Sequence, residues 1–255
     1  MVGGKGIVFI TDPVAGPRAG CDPLRGRTVF SVDLAAAMPV RLRAALHLPV
    51  ERARRQRAAF RAEGLPVGVR SWDKEVAGAH RIPSRFPYPA GSDVAVLLHT
   101  GGTTGTPKAA MLTHANLRAN ANQAIAWMHL LHEGAETFLA LLPFFHAFGL
   151  SLSLLCAVGL AATQVVLPKF SVSLVIEAWK RQPCTFFPGV PVIFDRLAKA
   201  AANPRPGQVM PDFSSCTIAI CGAAATPREV AAAWEELTGH YPIEGYGMTE
   251  TSPII

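Results

Sequence analysis

The chain has 255 residues, half of them hydrophobic and 16% charged, which is enough apolar side chain for a sizeable core and excludes a disordered chain. Its net charge of +6 is partly local, because Arg41, Arg43, Arg52, Arg54, Arg55, Arg57 and Arg61 crowd one segment. Phe60 is the single Phe, Tyr or Trp inside that run, so no aromatic-interleaved basic platform appears, which argues against nucleic-acid binding. It reads as a solvated helix face, with weak peripheral contact to the inner face of a membrane as the minority reading.

In chain order, residues 6–10 and 28–32 read as strands, the arginine-rich segment as a helix, and residues 81–90 as a proline-rich linker. An apolar run at 93–98 reads as a buried strand. After it comes His99-Thr-Gly-Gly-Thr-Thr-Gly-Thr-Pro-Lys108. Glycines let a backbone turn its N–H groups onto an anion, hydroxyls add donors, and a lysine adds charge, so this loop suits a polyphosphate. It is not Walker A: Pro107 precedes Lys108, and Ala109 stands where that motif has Ser or Thr. A helix capped by Thr113 follows.

Residues 137–168 carry no formal charge and are long enough in principle to span a bilayer. Pro143, His146, Gly149, Gly159, Thr163 and Gln164 interrupt them, so they divide into a strand (137–142), a helix (147–158) and a strand (163–167). A buried β-α-β unit gives just such a run. Then come a helix (174–181), a strand (185–187), a helix (192–202), a loop (203–208) and a strand (217–220). A helix starting at Thr226-Pro-Arg-Glu229 reads as a capping box, and a last strand covers 241–244. This alternation predicts an α/β fold with a mainly parallel sheet flanked by helices and a site at the strands' carboxyl ends.

The five cysteines are odd in number and include no C-x-x-C, which fits free thiols in a reducing cytoplasm. The start of the chain lacks a basic-then-apolar secretory pattern. His129 and His132 have helical spacing but no third ligand nearby, so they read as surface residues.

The glycine-threonine loop, extended through Lys108-Ala-Ala-Met-Leu-Thr-His114, resembles the phosphate loop of the adenylate-forming enzymes: acyl-CoA synthetases, firefly luciferase and peptide-synthetase adenylation domains. Three further segments resemble that family's motifs in its order: Leu142-Pro-Phe-Phe-His146-Ala-Phe-Gly149, Cys221-Gly-Ala-Ala-Ala-Thr-Pro-Arg-Glu-Val230 and Glu244-Gly-Tyr-Gly-Met-Thr-Glu250. The run after Lys108 is similar to bacterial long-chain fatty acyl-CoA synthetases. The resemblance covers residues 93–255, a nucleotide- and acyl-binding core. Residues 1–92 would be part of an N-terminal subdomain with a linker.

The resemblance implies an ATP-dependent fatty-acid–CoA ligase of the cytoplasm, forming an acyl-adenylate before coenzyme A accepts the acyl group. Thr100, Gly101, Gly102, Thr103, Thr104, Gly105 and Lys108 would hold the β- and γ-phosphates. Gly222, Ala223 and Ala224 would line adenine, and Tyr246, between Gly245 and Gly247, would stack on it. Thr249 would bind the α-phosphate and Glu250 would hold Mg²⁺. His146 would lie beside the acyl pocket, flanked by Phe187, Gly189 and Val190. An aryl acid, or a carrier protein as acceptor, is the alternative chemistry.

Read alone, Tyr246 is equally a core aromatic, Glu250 a solvated carboxylate and His146 a satisfied core histidine. Two departures stand out: Ala109 replaces a usual glycine, which would strain the loop if φ there were positive, and His99 replaces a frequent aromatic. Family members are longer. The sequence therefore reads as a central fragment without the C-terminal domain and its catalytic lysine, and the rival expectation is a non-catalytic nucleotide- or acyl-binding remnant.

Overall fold

The computed structural model describes residues 7–11, 28–33, 38–51, 53–55, 68–85, 87–100, 108–167 and 169–255. The chain divides into two compact units at 86/87, inside the proline-rich segment. In the first unit, β1 (Ile7–Thr11) pairs antiparallel with β2 (Thr28–Val32), and β2 pairs in parallel with the short β3 (Arg70–Ser71). Two short helices, α1 (Val40–Ala45) and α2 (Trp72–Gly78), lie among its described residues, and residues 51 and 53–55 are helical as well. Phe30 meets Trp72 edge-to-face at 5.7 Å, and the Arg70 guanidinium lies over the Phe30 ring. In the arginine-rich segment Arg54 and Arg55 both pair with Glu51, and these side chains are exposed. Arg52, Arg57 and Arg61 lie outside the described residues.

In the second unit β4 (Val94–His99) and β5 (Ala109–Thr113) form an antiparallel hairpin, with Leu97 opposite Met111 and His99 opposite Ala109. This corrects the expected buried strand at 93–98. Leu98 and Leu112 face a small core with Ala147, but Leu97 and Met111 point outward and are 60% and 69% exposed. The hairpin also answers the concern over Ala109, which is a paired strand residue and not among the positive-φ positions. Next comes α3 (His114–Trp127). Thr113 Oγ1 accepts the Asn116 N–H at 3.1 Å and Asn116 Oδ1 accepts the Thr113 N–H, closing a reciprocal cap.

The main sheet has five parallel strands: β6 (Thr137–Ala140), β7 (Thr163–Val166), β8 (Phe186–Gly189), β9 (Ile218–Gly222) and β10 (Ile243–Gly245). Their spatial order is β10-β9-β8-β6-β7. Chain order reverses between β6 and β8, the point where doubly wound sheets open a crevice at their carboxyl ends.

Alternation along the strands feeds two cores. Phe138, Phe186, Ile218 and Ile220 pack against α3 and a wide π-type helix (Gly149–Leu155) that continues as α4 (Cys156–Gly159). Leu139, Phe187, Ala219 and Cys221 pack against α5 (Val172–Arg181), α6 (Pro191–Ala202) and α7 (Arg228–Thr238). Residues 137–166 are therefore a strand, helical turns and a strand, as the interrupted apolar run predicts. Among the described residues no helix is long and apolar enough to cross a membrane. One expected feature fails: α7 starts at Arg228 after Pro227, with no side-chain cap. Thr226 instead donates its N–H to Glu244 Oε1 at 2.7 Å, across to β10.

Cys156, Cys184, Cys216 and Cys221 are free and buried. Burial disfavours the thiolate, pushing Cys156 and Cys184 from 9.0 up to about 12 and raising Cys216 further. A raised native value means the unfolded thiols ionise first. Stability from these groups is therefore complete below pH 9 and is lost as pH climbs toward 12. Urea midpoints should fall across that window, and a Cys156→Ser, Cys184→Ser pair should flatten the fall. An equal fall in the pair would assign the alkaline loss to other groups.

Candidate nucleotide and acyl site

The carboxyl ends of β9 and β10 carry motif residues, and each of these strands ends on a glycine and leads into a loop. β9 ends at Gly222, and Ala223 follows with φ of +68°, a conformation that costs a residue with a Cβ. β10 ends at Gly245, so Tyr246 starts a segment that turns through a short 3₁₀ helix (Thr249–Thr251) and returns beside itself. The return is held by a bridge between Gly247 and Ile254 and by the Ile255 N–H donating to Tyr246 O at 3.1 Å.

These elements enclose a cleft of about 1140 Å³ between α3 and the β9–β10 ends. It brings together nine of the sequence-predicted residues: Thr100, His146, Gly222, Ala223, Gly245, Tyr246, Gly247, Thr249 and Glu250. Tyr246 is 72% exposed at the rim, so its ring is available for stacking and is not a core aromatic. Glu250 is exposed and forms no ion pair among the described residues. His146 is also exposed, and its Nδ1 accepts the Phe148 N–H at 3.4 Å. That contact favours the tautomer with the proton on Nε2.

Other expected residues lie elsewhere. Gly101, Gly102, Thr103, Thr104 and Gly105 are outside the described residues. The loop's two flanks are fixed, because the Thr100 N–H donates to Lys108 O at 3.0 Å. Lys108 is exposed but does not line the cleft, and neither does Ala224. Phe187 is fully buried, stacked on Trp234 at 5.1 Å and edge-on to Phe194 at 5.2 Å. A Cβ on Gly189 would lie 2.8 Å from the Phe194 ring, and Val190 packs on the same core. The residue types at 187–190 are thus accounted for by packing on the face away from α3.

Sequence reading missed one wall of the cleft. Asn120, Gln123, Ala124, Trp127 and Met128 recur at helical spacing on α3 and line it. That periodicity was the available signal. Phe148 and Leu152 of the next helix add apolar surface, and Glu244 adds a second carboxylate. The cleft's lining joins hydroxyl and carboxylate groups (Thr100, Thr249, Glu244 and Glu250) to apolar side chains (Ala124, Trp127, Met128, Leu152 and Ile220). Its volume and stacking ring fit a nucleotide. Thr100, Thr249 and Glu250 supply the oxygen atoms that a hard cation and its phosphates need. An apolar tail is suited to the apolar part of this lining. Among the described residues no group of three or more His, Cys, Asp and Glu is placed to hold a metal ion.

The family of AMP-binding enzymes matches residues 35–255. A long-chain-fatty-acid–CoA ligase of Bacillus subtilis is 40% identical over 162 residues, covering 64% of this chain and 28% of that protein. One from Salmonella typhimurium is 38% identical over 194 residues, covering 75% and 33%. The chain thus spans about a third of the length of the curated relatives it matches. Among solved structures, apo MatB from Rhodopseudomonas palustris superposes with a TM-score of 0.62 at 26% identity, covering 73% of this chain and 35% of that one. The o-succinylbenzoate CoA synthetase of Bacillus subtilis, in complex with its acyl-adenylate intermediate, gives 0.60 at 28% identity, covering 73% and 37%. The chain belongs to the AMP-binding enzyme family.

Proposed function

We propose that this chain supplies the nucleotide- and acyl-binding part of an ATP-dependent fatty-acid–CoA ligase. The observation that carries the reading is one cleft whose lining joins Tyr246, Thr249 and Glu250 to apolar residues such as Ala124, Trp127 and Met128. In this reading a carboxylate attacks the α-phosphorus of ATP, the bond to pyrophosphate breaks, and an acyl-adenylate forms. Coenzyme A thiol then displaces AMP. Both first reactants are anionic, so the residues' task is to align them and offset their charge. Tyr246 stacks on adenine, Gly222 and Ala223 offer backbone against it, and Thr249 donates its hydroxyl to the α-phosphate. Glu250 would hold Mg²⁺, which neutralises phosphate charge when bound. Thr100 and Lys108, with Gly101, Gly102, Thr103, Thr104 and Gly105, hold the outer phosphates. His146 orients the acyl carboxylate. The fatty-acid class rests on the named relatives and the apolar part of the lining.

The test is calorimetric titration of the chain with ATP. Lys108→Ala should weaken binding by roughly 1.5–3 kcal/mol, or about 10- to 150-fold, at every Mg²⁺ concentration. Glu250→Gln should weaken it in a way that shrinks as Mg²⁺ rises. A non-hydrolysable fatty-acyl adenylate should bind more tightly than ATP and than its benzoyl counterpart. Identical Mg²⁺ responses in the two variants, or no ATP binding by the parent chain, would overturn the assignment.

A further inference from the structure

Two buried polar side chains touch the 246–255 segment from outside it. Asn120 of α3, 5% exposed, pairs both ways with one residue: its Nδ2 donates to Ile254 O at 2.8 Å, and its Oδ1 accepts the Ile254 N–H at 3.4 Å. Ser151 of the π-type helix, fully buried, donates its hydroxyl to Ser252 O at 2.7 Å. Both contacts fall on the returning arm, immediately after the turn that carries Thr249 and Glu250. Within the segment, Met248 N–H donates to Pro253 O at 2.9 Å and Thr251 Oγ1 donates to the same oxygen at 2.6 Å. The turn itself buries little: Tyr246 and Met248 are 72% and 47% exposed. Its place is therefore set by hydrogen bonds on its return and by packing of the arm, and not by a core of its own.

We infer that Asn120 and Ser151 are positioning residues that hold the Thr249–Glu250 turn against the cleft. Asn120 stands on α3, directly after β5, so it also ties that helix to the turn. Removing the amide leaves the Ile254 carbonyl without its donor, and an unmatched buried carbonyl pushes the arm toward water. The inference rests on the proposed nucleotide and metal roles of Thr249 and Glu250.

The test uses Asn120→Leu and Ser151→Ala in the 255-residue chain, with ATP and Mg²⁺ as the probes. Amide exchange at Met248, Thr251 and Ile254 should speed up about tenfold in each variant, while amides in Phe186–Gly189 keep their protection. ATP affinity should fall roughly five- to tenfold at limiting Mg²⁺, and the part of the loss that acts through Glu250 should shrink as Mg²⁺ rises, as for Glu250→Gln. A purely structural contact would lower affinity equally at limiting and at high Mg²⁺, which would overturn the positioning role. Unchanged exchange at the three amides would overturn it as well. If Asn120→Leu does not fold, Ser151→Ala carries both readouts. If the parent chain binds no ATP, the proposed function fails, and the exchange data alone decide whether the two residues hold the turn.

Discussion

Phe187→Ala should destabilise the second unit by about 3–5 kcal/mol, the range for removing a buried aromatic ring. The ring has no exposed surface and sits in an aromatic box: stacked on Trp234 at 5.1 Å, edge-on to Phe194 at 5.2 Å and tilted against Trp179 at 5.8 Å. All four belong to the core under α5, α6 and α7, so truncation opens a cavity walled by rigid rings that collapse poorly. A domain is stable by only about 5–15 kcal/mol, so urea unfolding should shift far toward low concentration. The resemblance instead implies that Phe187 flanks the acyl pocket. A pocket residue would leave the midpoint in place and alter which acyl-adenylate analogue binds. An unchanged midpoint with altered analogue preference would restore that role and refute the packing account.

The contrast shows what the sequence makes legible. The repeated β-α units and the interrupted apolar run at 137–166 were readable because fully buried parallel strands leave continuous apolar runs between turn residues. The motif residues at 222–223 and 245–250 were readable because they follow strands directly, where an α/β sheet places its ligands. Two kinds of feature were not. The β4–β5 hairpin looks in sequence like a buried strand, because its inner face (Leu98, Leu112) and its exposed face (Leu97, Met111) are equally apolar. Periodicity cannot tell which face is covered. The α3 wall was hidden for a different reason. Asn120, Gln123 and Ala124 carry no chemistry that singles them out, and only the tertiary approach of residues 252–255 gives Asn120 its task. Thr226 shows local grammar overruled in the same way: the capping-box pattern is present, but its N–H goes to Glu244 on the neighbouring strand.

Gly247→Ala should abolish most ATP binding while leaving the five-stranded sheet folded. A Cβ at this position would lie 1.8 Å from Pro253 O and 2.7 Å from Pro253 C, and both are backbone atoms with no rotamer to turn away. The returning arm must therefore separate from Gly247, breaking the bridge to Ile254 and loosening the Met248–Pro253 and Ile255–Tyr246 hydrogen bonds. Overpacking costs about 1–3 kcal/mol, and each net hydrogen bond adds about 0.5–1.5 kcal/mol. The arm lies beyond β10, so this cost should be met by local opening and not by global unfolding. Opening moves Tyr246, Thr249 and Glu250 together, and a cost near 2 kcal/mol already corresponds to about a 30-fold loss of affinity. Calorimetry with Mg²⁺-ATP and a thermal melt on the same sample separate the two effects. Normal affinity in the variant would mean that the arm's closure is irrelevant to the nucleotide. A collapse of the melt would mean that Gly247 serves the fold as a whole, with no special link to the cleft.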